Sequence, residues 1–127
     1  MNREEMKART KTHANRVVKL CAALPGNWIA QCLGKQLLRS GTSVGANYRA
    51  VCRAKSNADF INKLRIVEEE CDESLFWMEL LVDNNLVKAT RLRGLMREET
   101  KSGRLLSHQQ KPPAPPVARK SYIANRK

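Results

Sequence analysis

The chain has 127 residues, with 24 lysines and arginines against 12 acidic residues, for a net charge of +12. This length suits one domain, and no apolar run of about 18 residues is present that could span a membrane. The charged N-terminus lacks the apolar segment of a signal peptide, so we expect a cytoplasmic protein.

The charge is distributed unevenly along the chain. Residues 1–55 hold 11 basic and 2 acidic side chains, residues 56–83 hold 2 and 8, and residues 84–127 hold 11 and 2. An acidic segment therefore lies between two basic ones. If the segments fold against each other, the surplus positive charge must face solvent or a polyanion.

Two helices are predicted in the N-terminal basic segment. Over residues 3–24, apolar and small side chains recur at spacings of three and four, as on one helical face, at Met6, Thr10, His13, Val17, Leu20 and Leu24. Pro25 and Gly26 end this helix, and Asn27 is a predicted N-cap for the next. Residues 28–54 form the second helix, with an apolar stripe at Ile29, Leu33, Leu37, Gly41, Val44, Tyr48 and Val51.

Gly41 and Gly45 interrupt the second helix, at a cost of about 1 kcal/mol each relative to alanine. Close approach of a neighbouring helix explains both glycines, and a local kink is the alternative. The segment is not a phosphate-binding loop, because no strand precedes it and no Gly-Lys-Ser/Thr ends it.

The third helix is predicted to begin after Ser56, which with Asp59 resembles a capping box. Its apolar stripe is nearly a strict heptad, at Phe60, Leu64, Val67, Cys71, Leu75, Met78 and Val82, and further apolar residues widen it. A helix with such wide apolar coverage has several neighbours or meets another subunit. Residues 83–85 are a predicted turn.

Residues 86–106 form the fourth helix, whose stripe includes Glu99. From residue 107 the composition becomes basic and proline-rich, which predicts a disordered tail over residues 107–127. The predicted fold is therefore all-α, an antiparallel up-down four-helix bundle over residues 1–106 with this tail.

No catalytic set or metal site is evident, and we predict no enzyme activity and no cofactor. The four cysteines lie at least 11 positions apart and away from both histidines, so they indicate buried thiols in a reducing compartment. His13 falls in the apolar stripe of the first helix and is expected to be packed there. Paired acidic and histidine ligands of a di-iron bundle are absent from the third helix.

The acidic third helix carries Glu70 and Glu73 beside its apolar stripe. We expect them to form inter-helix ion pairs with Arg49, Arg53 or Lys63 that fix the register of the helices.

The basic residues are candidates for contacts with nucleic-acid phosphates, which give salt-sensitive affinity without sequence preference. Few aromatic side chains are available for base stacking, so sequence-specific RNA binding is not supported. The predicted binding residues are Lys7, Lys11, Arg16, Lys19, Arg49, Arg53, Lys55, Arg91, Arg93, Arg97, Lys101, Arg104, Lys111, Arg119 and Lys120.

Three runs carry a resemblance to a known family: Ser40-Gly-Thr-Ser-Val-Gly-Ala-Asn-Tyr-Arg49, the Ser-capped start of the third helix from Arg53 to Leu64, and Glu70-x-x-Glu-x-x-x-Trp-x-x-Leu-Leu81. Together they resemble the bacterial four helix bundle proteins, also called the 23S ribosomal RNA intervening-sequence protein family. The resemblance covers about residues 35–100.

This resemblance implies a left-handed bundle, no enzymatic activity and assembly into a homo-pentamer. Similar proteins are accessory subunits of diversity-generating retroelements, which bind a reverse transcriptase and its RNA. We therefore predict a non-catalytic, oligomeric protein that binds nucleic acid, RNA or DNA, or acts as a scaffold. The alternative is a protein–protein adaptor, for example an accessory subunit of such a reverse transcriptase.

Overall fold

Four helices account for most of residues 2–109, which are the residues that the computed structural model describes. They are α1 (Arg3–Ala22), α2 (Trp28–Val51), α3 (Asn57–Asp83) and α4 (Ala89–Gln109). No strand occurs within this range, so the predicted all-α class is confirmed. Each helix packs against the next, and a smaller contact between α1 and α4 closes the bundle. None of the helices in this range is apolar enough over sufficient length to cross a bilayer.

The helix starts follow from capping side chains. The side-chain oxygen of Asn27 accepts a hydrogen bond from the backbone N–H of Ala30 at 2.9 Å, and that of Ser56 accepts one from Asp59 at 3.1 Å. Each satisfies one of the N–H groups that have no partner within the helix. Both predicted N-caps are confirmed.

The boundary between α3 and α4 differs from the prediction, because residues 86 and 87 close α3 instead of opening α4. Asn85 adopts a left-handed conformation with φ of 57°. The backbone N–H of Asn85 then donates to the carbonyl of Val82 at 3.0 Å, and that of Leu86 donates to Leu81 at 2.9 Å. This is a Schellman motif, which terminates a helix by satisfying its last carbonyl groups.

The C-terminal boundary also differs, since α4 continues to Gln109 where the tail was predicted to begin at residue 107. The first proline of the tail is Pro112, and the residues before it contain nothing that breaks a helix. The predicted disorder of the tail concerns residues 110–127, which lie outside the described range.

The core divides into two clusters at opposite ends of the bundle. One joins the start of α1, the end of α2, the start of α3 and the end of α4, and consists of Met6, Val44, Tyr48, Val51, Leu64, Val67, Cys71 and Leu106. The other joins the remaining helix halves, and consists of Val17, Leu20, Leu37, Met78, Leu81, Val87, Leu92 and Leu95. This grouping requires antiparallel neighbours, as predicted.

Close helix approach explains the glycines of α2. A Cβ atom built on Gly41 would lie 2.9 and 3.0 Å from the two γ-methyl carbons of Val17, and one on Gly45 would lie 3.3 Å from the carbonyl oxygen of Thr10. On the α3 side, the hydroxyl oxygens of Ser40 and Ser74 lie 3.0 Å apart in a buried contact. Of the two explanations considered, close packing is the one that the structure bears out.

We expect Gly41→Ala to destabilise the protein by up to about 2 kcal/mol. The overpacking of buried Val17 costs about 1–3 kcal/mol, and improved helix propensity offsets about 1 kcal/mol of it. Gly103→Ala is the matched control, because a Cβ there would meet only Cys71 Cβ at 4.0 Å. We expect this second variant to be stabilised. Urea unfolding of both variants tests the pair, and a stabilised Gly41→Ala variant would contradict the packing argument.

Candidate nucleic-acid interface

Polar side chains occupy core positions on α1 and α4. The buried face of α1 includes Thr10 and His13, and that of α4 includes Glu99 and Ser102. In both helices these positions continue the apolar stripe. Of these four residues, His13 and Glu99 contact each other across the two helices.

His13 and Glu99 form a polar pair in the interior of the bundle. The imidazole Nε2 contacts the carboxylate Oε2, and the two side chains are 1% and 0% exposed. Within the described residues, neither His13 Nδ1 nor Glu99 Oε1 has a hydrogen-bond partner. A buried pair of this kind has a large desolvation cost, and loss of either partner leaves the other uncompensated.

The thiol of Cys71 lies near this pair but is not activated by it. Burial raises the pKa of Cys71, and the negative charge of Glu99 raises it further. The thiol therefore stays protonated at neutral pH and is a poor nucleophile. Within residues 2–109, no three histidine, cysteine or acidic side chains come together as a set of metal ligands.

A second pair joins α1 to α4 nearer the surface. Arg9 Nε lies 2.5 Å from Glu98 Oε1, and its Nη2 donates to Oε2 at 2.8 Å. Both side chains are about one-fifth exposed (21% and 20%). The fork of the guanidinium matches the two carboxylate oxygens, which gives this pair a defined geometry.

The predicted phosphate-binding residues within the described range are exposed, except Lys7, which is half-buried and pairs with Glu4 at 3.2 Å. No ion pair within residues 2–109 involves any of the exposed ones. They are Lys11, Arg16 and Lys19 on α1, Arg49 on α2, Arg53 and Lys55 after α2, and Arg91, Arg93, Arg97, Lys101 and Arg104 on α4. Lys111, Arg119 and Lys120 lie outside the described range.

The structure does not bring all these cations together. Arg16 and Lys19 of α1 line one cleft with Arg91 of α4, whereas the other cations of α4, Arg93, Arg97, Lys101 and Arg104, border a groove on the α3 side. Arg53 and Lys55 lie instead at the end of the bundle where α1 begins, because Arg3 of α1 stacks over the Phe60 ring at 5.5 Å near the start of α3. Arg16 and Lys19 lie toward the opposite end of α1.

The predicted ion pairs of α3 form with a different partner. Glu70 and Glu73 both contact Arg39 of α2, at 3.3 Å between Arg39 Nη1 and Glu70 Oε2. Arg49 and Arg53 make no ion pair among the described residues, and Lys63 pairs within α3 with Asp59 at 2.7 Å. The prediction of Arg49, Arg53 or Lys63 as the inter-helix partner is therefore wrong.

Local hydrogen bonds favour the charged forms of two of these carboxylates. The guanidinium of Arg39 lowers the pKa of Glu73, and the indole N–H of Trp77 also donates to this carboxylate at 3.3 Å. Likewise, the ammonium group of Lys63 lowers the pKa of Asp59. Both carboxylates are partly exposed, so each pair adds little to stability.

These features define a four-helix bundle with many exposed, unpaired cations on α1 and α4. The chain belongs to the 23S rRNA-intervening sequence protein family, whose model matches residues 4–108. The family predicted from the sequence motifs is thus confirmed.

A solved structure supports the same assignment. The chain is similar to a protein of unknown function from the S23 ribosomal protein family of Bacteroides thetaiotaomicron, with 36% sequence identity and a TM-score of 0.79. The match covers 84% of this chain and 99% of that one. No curated protein shows significant similarity to the chain.

Proposed function

We propose that the protein is a non-catalytic, oligomeric scaffold that binds the backbone of RNA or DNA. The carrying observation is that intramolecular ion pairs leave most of the positive charge free. Among the described lysines and arginines, the ion pairs involve Lys7, Arg9, Arg39 and Lys63. Exposed cations of α1 and α4 meet in one cleft, and four further cations of α4 border the groove between α3 and α4. Such positively charged surfaces attract a polyanion.

Filter binding of a short unstructured RNA over a range of salt concentrations tests this proposal. Phosphate contacts release counterions, so we expect the logarithm of the association constant to fall linearly with the logarithm of the salt concentration. Scrambling the RNA sequence should leave the affinity unchanged, since phosphate contacts carry no base information. Absence of binding at low salt, together with co-purification of a protein partner, would overturn the proposal in favour of the adaptor, such as a reverse transcriptase accessory subunit.

Assembly into a homo-oligomer, a pentamer by the family resemblance, is part of the proposal. Large apolar side chains remain exposed on the outside of the bundle, with Trp28 at 75%, Phe76 at 50% and Ile66 at 48%. Phe76 lies on the same helix as the exposed acids Glu69 and Asp72, opposite in sign to the α1 and α4 surface. Contact between two unlike surfaces of neighbouring copies is heterologous, and it gives a ring when the rotation between successive copies closes.

Mass photometry with and without RNA measures this assembly directly. We expect particles of five protomer masses that persist when RNA is added. Sedimentation velocity that gives a single protomer mass at micromolar concentration would contradict the oligomer without affecting the RNA-binding proposal. A cytoplasmic location, where the four free thiols stay reduced, completes the proposal.

A further inference from the structure

Two helical turns from the Arg9–Glu98 pair, the contact between α1 and α4 again has an arginine on α1, but the facing residue on α4 is an arginine instead of a glutamate. Arg16 follows Arg9 by seven residues on α1, and Arg91 precedes Glu98 by seven residues on α4. Seven residues are two turns, or about 10 Å, so each step keeps the same helix face. Because the two helices are antiparallel, both steps lead in the same direction along their contact. At the first level Arg9 faces Glu98. At the second level Arg16 and Arg91 line one cleft.

This cleft is lined by Arg16, Lys19, Leu20, Arg91 and Leu95 and has a volume of about 300 Å³. The two leucines are buried, and the three cations are exposed around them. No carboxylate among residues 2–109 forms an ion pair with any of the three cations. Three like charges around one cleft repel each other, and a bound anion would remove that repulsion.

The guanidinium of Arg16 lies over Gly94 of α4. A Cβ atom on residue 94 would come within 2.9 Å of Arg16 Nη2. Glycine at an exposed position within a helix costs about 1 kcal/mol relative to alanine, and here it leaves room for the arginine.

The start of α4 adds to the positive potential of the cleft. Arg91 lies in the first turn of α4, which contains no acidic residue. The N-terminus of a helix carries a partial positive charge that favours anions and disfavours cations. An anion bound next to Arg91 would therefore be stabilised by the N-terminus of α4, whereas the charge of Arg91 itself is disfavoured there.

We propose that this cleft binds a phosphate group of a nucleic-acid backbone, held by Arg16, Lys19 and Arg91. The inference rests on the proposed function and adds to it one defined point of attachment. Guanidinium groups match phosphate oxygens in a bidentate arrangement, and lysine contributes a point charge. None of these contacts distinguishes one base from another.

Fluorescence anisotropy with a short unstructured RNA tests the cleft through two variants of equal charge. One replaces Arg16, Lys19 and Arg91 by glutamine, and the control replaces the exposed Arg3, Lys35 and Arg65 by glutamine. The logarithm of the association constant falls with the logarithm of the salt concentration, and we expect this slope to be less steep by about 2 in the first variant. This is the change for three lost phosphate contacts on a single strand. The slope of the control should change by much less. Equal slopes for the two variants would overturn the cleft while leaving the proposed function intact.

Gly94→Ala tests the geometry without changing the charge. The new methyl group displaces the Arg16 guanidinium, so we expect RNA affinity to fall severalfold at unchanged helix content by circular dichroism. Gly26→Ala is the control, because nothing lies within 4 Å of a Cβ at that position. Unchanged affinity of the Gly94→Ala variant would count against a positioned phosphate site.

A further experiment distinguishes failure of the proposed phosphate site from failure of the proposed function. If the wild-type protein binds no RNA at low salt, the proposed function fails, and tripolyphosphate then serves as the probe of the cleft. We expect it to shift the Nε–Hε resonances of Arg16 and Arg91 but not that of Arg65. Shifts of equal size at all three arginines, or none at all, would overturn the site.

Discussion

Replacing Glu99 by leucine is expected to destabilise the protein by about 3–5 kcal/mol, as for broken buried ion pairs. Leucine preserves the side-chain volume but leaves the imidazole of His13 buried without a partner. A typical domain is stable by only about 5–15 kcal/mol, so this single change removes a large part of the total. Urea unfolding followed by circular dichroism measures the loss.

The double variant His13→Leu/Glu99→Leu isolates the cause. Two apolar side chains of similar size leave no unpaired polar group, and such replacements are often neutral or stabilising by about 1–4 kcal/mol. We therefore expect the double variant to be more stable than either single variant. Glu98→Ala is a control at a partly exposed pair, expected to cost about 1 kcal/mol or less. A Glu99→Leu variant no less stable than this control would contradict the prediction.

The position of the pair suggests why two buried polar side chains are kept in the core. The contact between α1 and α4 is the smallest of the four helix contacts, so apolar packing alone specifies its register weakly. His13 and Glu99 meet in only one register of the two helices. We regard fixation of this register as a hypothesis, and the double variant tests it through broadened or doubled NMR resonances.

Helix periodicity predicted the buried faces because each helix is long and little interrupted. In α1, the five buried residues Met6, Thr10, His13, Val17 and Leu20 are all members of the predicted stripe. In α2 the stripe was less accurate, since Ile29 is 48% exposed while Ala30 and Gly34 are buried. The close contacts of α2 with its neighbours select small side chains at buried positions, and a search for large apolar residues misses them.

The partner of Glu70 and Glu73 could have been found from the connection between α2 and α3. In an antiparallel pair, residues equally distant from the connection face each other. Arg39 precedes the end of α2 at Val51 by 12 residues, and Glu70 follows the start of α3 at Asn57 by 13. Arg49 is only two residues from that end, so it lies near the start of α3.

Counting residues from a connecting turn does not work for α1 and α4, because these two helices are distant in sequence and no turn joins them. The pairing of His13 with Glu99 and the meeting of Arg16 with Arg91 depend on how the whole bundle closes. The one signal in the sequence was that His13 and Glu99 each occupy a position in an apolar stripe. Two charged or titratable residues at core positions of different helices are therefore a reason to predict that they pair.

The outer surface of α4 is expected to carry much of the affinity for RNA. Arg97, Lys101 and Arg104 are exposed, and their spacings of four and three place them in one row along about 10 Å of helix. They border a groove between α3 and α4 whose opposite side holds Glu79. That carboxylate repels phosphate on the α3 side, so a backbone should follow the α4 row.

Replacing these three cations by glutamine should reduce the steepness of the salt dependence of RNA binding by about 2, which at 0.1 M salt is a loss of about two orders of magnitude in affinity. The Arg3, Lys35 and Arg65 triple variant removes the same charge from other surfaces and should lose far less. Because all six side chains are exposed and unpaired by carboxylates among the described residues, neither variant should lose much stability, which circular dichroism checks. If both variants lose the same affinity, net charge alone governs binding, and α4 has no special role.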